Sequence, residues 1–192
     1  MKYIMFMSEY ENLNHMELVY DIGSDKQLID SAKHFYLPHS YVINDRSRTT
    51  KLRVVFDGSA KTSSGVSLND TLMNGPKIQP DLLDIVVRFR THKYAFSADI
   101  TKMYRQALVH EDHRYYQRVL WRADPNDEVK VYRLCTVTYG LAPAGFLAIS
   151  CINRLGDKTT NTKLKEIIKN DFCVDDCLTG SDSLLETIEL RN

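Results

Sequence analysis

The chain has 192 residues and a mass of 22.2 kDa, enough for one domain, or one with an appendage, and for a real core. Its 43% hydrophobic and 26% charged residues exclude a collagen, a coiled-coil rod and a wholly disordered chain. Lys plus Arg (25) balance Asp plus Glu (25), so bulk charge announces no nucleic-acid partner.

In chain order, Met, Tyr, Leu and Glu at loosely helical spacing predict an opening helix to about Val19, packing on something outside the chain. YLPHSYVIN (Tyr36–Asn44), with Pro38 near its start, and KLRVVFD (Lys51–Asp57) read as two strands. The basic segment DRSRTT between them makes a hairpin with a positively charged tip. GSAKTSSGVSLND (Gly58–Asp70) is loop chemistry without a P-loop pattern. Gly75-Pro76 and Gln79-Pro80 punctuate the chain. A helix capped by Asp81 or a neighbour then runs through Arg90, with Leu82, Leu83, Ile85, Val86, Val87 and Phe89 suited to a buried face. YAFSADI (Tyr94–Ile100) is a short apolar strand ending in an acid. Tyr116–Trp121 and Val129–Val137 read as further strands joined by a turn at ADPNDE. Helices follow over Leu141–Arg154, with an early Pro143, and over Lys163–Lys169. FCVDDCLTG (Phe172–Gly180) reads as a hairpin with Asp175-Asp176 at its turn, and Ser183–Leu190 as a last helix. No segment repeats. Helices inserted between strands, with a late hairpin, predict an α+β domain whose antiparallel sheet is covered by helices on one face.

The zero net charge is a sum of unlike parts. Five basic residues lie from Arg46 to Lys61 and eight from Arg88 to Arg122, while both ends are acid-rich. Phe89, Tyr94, Phe96, Tyr104, Tyr115, Tyr116 and Trp121 are interleaved with the second group. Such a surface suits a phosphate backbone and stacked bases, and equally an ordinary solvated face. Cys135, Cys151, Cys173 and Cys177 form neither a C-x-x-C pair nor a zinc spacing and are expected as free thiols in a reducing compartment. The apolar run Tyr3–Met7 is shorter than the roughly 7–15 residues of a signal peptide. No run approaches the ~20 residues of a membrane span. A soluble, intracellular protein without a membrane partner is expected. His110 and His113 flank Glu111-Asp112, and read as a solvated turn rather than a metal site.

Two acid sites carry chemistry. Asp99 ends an apolar strand, and Asp175-Asp176 sit at a hairpin turn. An Asp-Asp pair in a turn is ordinary surface chemistry, but Phe172, Cys173 and Val174 place this one at the end of an apolar strand. Adjacent carboxylates repel unless a cation neutralises them, and hard Mg²⁺ suits several carboxylate oxygens. Two such ions about 4 Å apart can activate a hydroxyl and stabilise a leaving pyrophosphate.

FSADITKMY, TVTYGLAPAGF and FCVDD, in this order and spacing, resemble motifs A, B and C of a reverse transcriptase. The stretches YLPHSYVINDRSRTTKLRVVFDGSAKTSSGVSLNDTLMNGP, RFRTHKYAFSADITKMYRQALVHEDHRYYQRVLW and VDDCLTGSDS resemble the BEL/Pao class of LTR retrotransposons. The resemblance implies a right-hand polymerase, with part of the fingers over residues 1–90 and the palm over 91–192. It implies that thumb, RNase H, protease and integrase regions are absent from this chain. It further implies RNA-directed DNA polymerase activity using two Mg²⁺ ions, with Mn²⁺ able to substitute, on an RNA or DNA template with primer and dNTPs. Asp99, Asp175 and Asp176 would be catalytic and, with Ile100, hold the metals. Lys51, Arg53, Ile100, Thr101, Tyr104, Tyr139 and Gly140 would bind the dNTP: the basic pair and the amides of Ile100 and Thr101 at the triphosphate, and Tyr104 under the sugar, where it would exclude a 2′-hydroxyl. Cys173, where the family usually has Tyr, and Val174 would lie against template and primer. The implied location is cytoplasmic, within particles in an intact element. The competing expectation is a catalytically inert remnant that folds and at most binds nucleic acid. A retropepsin is not expected, because FDGS (Phe56–Ser59) has Asp-Gly-Ser rather than Asp-Ser/Thr-Gly.

Overall fold

The computed structural model describes residues 1–21, 34–44 and 52–191. The chain divides into two compact units, one of Met1–Asn74 with Tyr104–Ala144, the other of Gly75–Met103 with Gly145–Asn192. The architecture is α+β, but the single sheet expected from sequence is replaced by three small antiparallel sheets.

The first unit opens with helix α1 (Lys2–Asn12). The helix packs on the chain's own core. Met7 (0% exposed) and Tyr10 (2%) are buried in a core with Met16, Leu37, Val54, Phe56, Leu68, Val119, Tyr132 and Leu134. It does not reach Val19. Asn14 adopts a positive φ of 56°, and strand β1 (Met16–Asp21) begins two residues later. The centre of this sheet is β6 (Lys130–Leu134), flanked by β1 and by β5 (Arg118–Trp121). Strand pairing overrides the helical spacing here, because the partners lie far along the chain: Met16 opposes Leu134 and Glu17 opposes Arg133. Glu17 accepts from Arg133 and lies 3.4 Å from Arg114. Arg118 and Arg133 both stack on the Tyr115 ring, at 5.0 and 5.4 Å from its centroid. The ring's negative face thus serves two guanidiniums at once.

Strands β2 (His39–Ile43) and β3 (Leu52–Phe56) form the expected hairpin, with Val42 opposite Arg53. Its basic tip lies outside the described residues. Val54 and Phe56 point into the core, while Arg53 alternates to the exposed side. Helix α3 (Glu111–Arg114) is a single exposed turn holding His110 and His113 at its ends.

In the second unit, helix α2 (Leu82–Thr91) precedes strand β4 (Tyr94–Asp99). Asp81 stands at the helix start, but its side chain caps no amide and pairs with Lys77 instead. Helices α4 (Ala144–Lys158, beginning in the first unit) and α5 (Thr162–Asn170) follow. Asn161 caps α5 by accepting from the Leu164 amide at 3.1 Å. Strands β7 (Phe172–Cys173) and β8 (Asp176–Ser181) then join β4 in a sheet of order β4-β8-β7. Helix α6 (Leu184–Arg191) closes the unit. Helices α2 and α6 lie against β8, and α5 against β7. Gly75 has φ +78°, and a Cβ there would lie 2.4 Å from the Phe146 ring, so the turn at Gly75-Pro76 requires glycine. Among the described residues, no helix is long and apolar enough to cross a membrane.

Candidate functional site

The site is built on the β4–β8 ladder. Tyr94 opposes Ser181 at one end, and Asp99 opposes Asp176 at the other. Register-opposed residues share a face, with Cβ atoms about 5 Å apart. Asp99 and Asp176 are both exposed on that face. The alternate residues of β8, Cys177, Thr179 and Ser181, are 7%, 1% and 5% exposed. One side of the strand is thus packed, and the side bearing the acids is open at their end.

Asp175 is brought to the same place by the turn between β7 and β8. Its carbonyl accepts the Ile100 amide at 2.9 Å, which ties the end of β4 to the hairpin. The Ile100 carbonyl in turn accepts from Met103 at 3.1 Å. Val174 occupies the first turn position with φ +58°. A β-branched residue in that region is strained by roughly 1–3 kcal/mol, and such strain clusters at functional sites. Two side chains that sequence reasoning missed hold the turn. Gln79 Oε1 accepts from the Val174 amide at 3.2 Å. Asp171, 5% exposed, accepts from Arg88 at 3.2 Å and from the Thr179 hydroxyl at 2.8 Å, while its carbonyl accepts the Leu178 amide at 2.8 Å. Asp171 is therefore a bracing carboxylate beneath the hairpin. It also helps burial push the Cys177 thiol up to about 11, so that thiol stays protonated at neutral pH. No disulfide constrains the hairpin, since Cys173 and Cys177 are free.

Asp99, Ile100, Cys173, Val174, Asp175 and Asp176 are therefore neighbours at one sheet end, and Thr101 follows directly as an exposed residue. Three carboxylates there suit a hard cation in donor type and in backbone position. Their side chains are not drawn together. Among the described residues, no three His, Cys, Asp or Glu are grouped so as to hold a metal ion.

The remaining expected residues belong to the first unit. Arg53 is exposed on β3, and Lys51 lies outside the described residues. Tyr104 is half-buried against Ala107, Val137 and Ala144. The Tyr139 ring packs 5.7 Å from that of Phe56, and its hydroxyl donates to the Val54 carbonyl at 2.6 Å. Burial raises its pKa above the usual tyrosine value. Gly140 has φ +93°, and a Cβ there would meet the Phe56 carbonyl oxygen at 2.1 Å. Glycine is obligatory at this turn.

No protein-family model matches the chain, and no curated protein matches it. Among solved structures, the crystal structure of prototype foamy virus protease-reverse transcriptase superposes with a TM-score of 0.63 at 13% identity. The superposition covers 96% of this chain and 20% of that one. The chain has a reverse-transcriptase-like fold, and it spans about a fifth of the length of that viral protein.

Proposed function

We propose that this chain is the catalytic portion of an RNA-directed DNA polymerase of the BEL/Pao retrotransposon class, transferring a nucleotide from a dNTP to a primer 3′-hydroxyl on an RNA or DNA template. One observation carries the reading: Asp99 opposes Asp176 across the β4–β8 ladder, beside the strained turn that presents Asp175. The likeness in fold to a viral reverse transcriptase supports it.

In this reading residues 1–90 belong to the fingers and 91–192 to the palm of a right-hand polymerase. Asp99, Asp175 and Asp176, with Ile100, would hold two Mg²⁺ ions, or Mn²⁺. Bound ions supply Lewis acidity, which acidifies the 3′-hydroxyl and offsets charge on the departing pyrophosphate. Lys51 and Arg53 grip the triphosphate through charge-assisted hydrogen bonds, and Thr101 adds its amide. Tyr104 excludes a 2′-hydroxyl, and the turn at Tyr139-Gly140 meets the nucleotide. Cys173 and Val174 lie against template and primer. An intact element would carry out this synthesis in cytoplasmic particles.

The competing reading, a folded remnant that binds nucleic acid without extending a primer, draws on the three carboxylates not being gathered. Primer extension decides between them. The polymerase reading expects Mg²⁺-dependent incorporation of labelled dNTPs that the Asp175→Asn chain lacks. Equal incorporation by both chains would remove the acids from the mechanism. Salt-sensitive binding without extension by the unaltered chain would leave the remnant.

A further inference from the structure

Asn69 makes more side-chain hydrogen bonds than a loop residue needs for its own turn. Its Nδ2 donates to the Gly140 carbonyl at 3.0 Å and to the Ser59 hydroxyl at 2.8 Å. Its Oδ1 accepts the Ala142 amide at 2.8 Å. One carboxamide thus pairs donor to carbonyl and acceptor to amide on either side of Leu141, as a neighbouring strand would. The grip is itself anchored, because the Asn69 amide donates to the Gly58 carbonyl at 2.9 Å. A Cβ on Gly58 would lie 2.8 Å from Asn69 Oδ1 and 2.8 Å from the Gly140 carbonyl oxygen, so the two loops meet with no room to spare. The other side of the turn is held by Tyr139 on Val54 and by Gly140 against Phe56.

We infer that Asn69 is a positioning residue for the incoming nucleotide: its carboxamide sets the peptides on either side of Leu141 in the turn Tyr139–Ala142. This rests on the polymerase reading, which puts that turn at the dNTP. The physical reason is preorganisation. A turn containing a positive-φ glycine has many alternatives in solution, and a side chain that satisfies both a C=O and an N–H selects one of them. Asparagine is required for this, since it alone at this length both donates and accepts through a planar amide. Aspartate would keep the acceptor for Ala142 and lose the donor for Gly140. Leucine would lose both.

The test uses the full chain with a template-primer duplex, Mg²⁺ and a fluorescent dATP analogue. It compares the unaltered chain with Asn69→Leu and Asn69→Asp. Amide hydrogen exchange at Ala142 reads the clamp, the dATP-analogue dissociation constant reads positioning, and duplex affinity is the control. Asn69→Leu is expected to lose Ala142 protection and to weaken nucleotide binding by about tenfold, the scale of one lost hydrogen-bonded pair, with duplex affinity unchanged. Asn69→Asp is expected to restore Ala142 protection and only part of the nucleotide affinity, and it tests the inference alone should the leucine chain not fold. Lost protection with unchanged nucleotide affinity would make Asn69 purely structural. Unchanged protection in the leucine chain would remove the clamp. An unaltered chain that binds duplex but no nucleotide would overturn the polymerase reading, and the inference with it.

Discussion

Asp99 and Asp176 are direct partners across the β4–β8 ladder, both exposed at its open end. Like charges in that relation destabilise a sheet pair by about 0.2–1 kcal/mol. Replacing Asp176 by asparagine should therefore raise thermal stability at low salt by that amount. The same change should depress nucleotide incorporation. A gain in stability with a loss of activity is the mark of a site arranged for chemistry. Thermal unfolding beside primer extension measures both.

Val174 gives a second prediction. Its φ of +58° suits glycine. Val174→Gly relieves the strain but frees the unfolded chain, and these effects oppose one another. With αL costing roughly 1–2 kcal/mol for a residue bearing a Cβ, and glycine's extra entropy about 0.5–1 kcal/mol, the net is a small stabilisation. Denaturant unfolding checks it.

The docking of α1 is testable through Met7, which is fully buried. Met7→Ala should cost about 2–5 kcal/mol through lost burial and the cavity it leaves. A surface-bound helix would lose far less. Chemical denaturation distinguishes them.

Glu17 predicts an acid-sensitive contribution to stability. Burial raises its pKa, but Arg133 and Arg114 outweigh this and hold it below the ordinary 4.5. A carboxyl group with a depressed folded value contributes stability that is fully present above 4.5 and is lost as pH falls through the folded value. With the side chain 41% exposed, solvent limits the contribution to about 1 kcal/mol. Glu17→Gln should be less stable than the unaltered chain at pH 7, and the two melting temperatures should converge in acid.

The acid hairpin was legible in the sequence because its determinants are local, an acidic turn after Phe172 and Cys173, although the turn is Val174-Asp175 and Asp176 already opens β8. Asp99 was legible for the same reason, as the polar end of an apolar strand. Strand β1 was not, because its determinant is a partner more than a hundred residues away, with Met16 on Leu134, and its own spacing looks helical. The Tyr139 hydroxyl bond to the Val54 carbonyl is a pairing across 85 residues that no spacing encodes. Gln79 and Asn69 were missed likewise, since their bonds reach Val174 and Ala142 across 95 and 73 residues. Division of the strands among three sheets depends on such distant pairings, while element types depend on periodicity and turns.

The most direct measurement is Mn²⁺ titration followed by paramagnetic broadening of backbone amide signals, because it asks whether the three carboxylates gather an ion. Broadening is expected to concentrate at Ala98, Ile100, Asp176 and Cys177, and to be lost in the Asp99→Asn, Asp175→Asn double variant. Broadening spread over acids elsewhere, such as Asp182 and Glu189, with none at the end of β4 and β8, would contradict the proposed metal site.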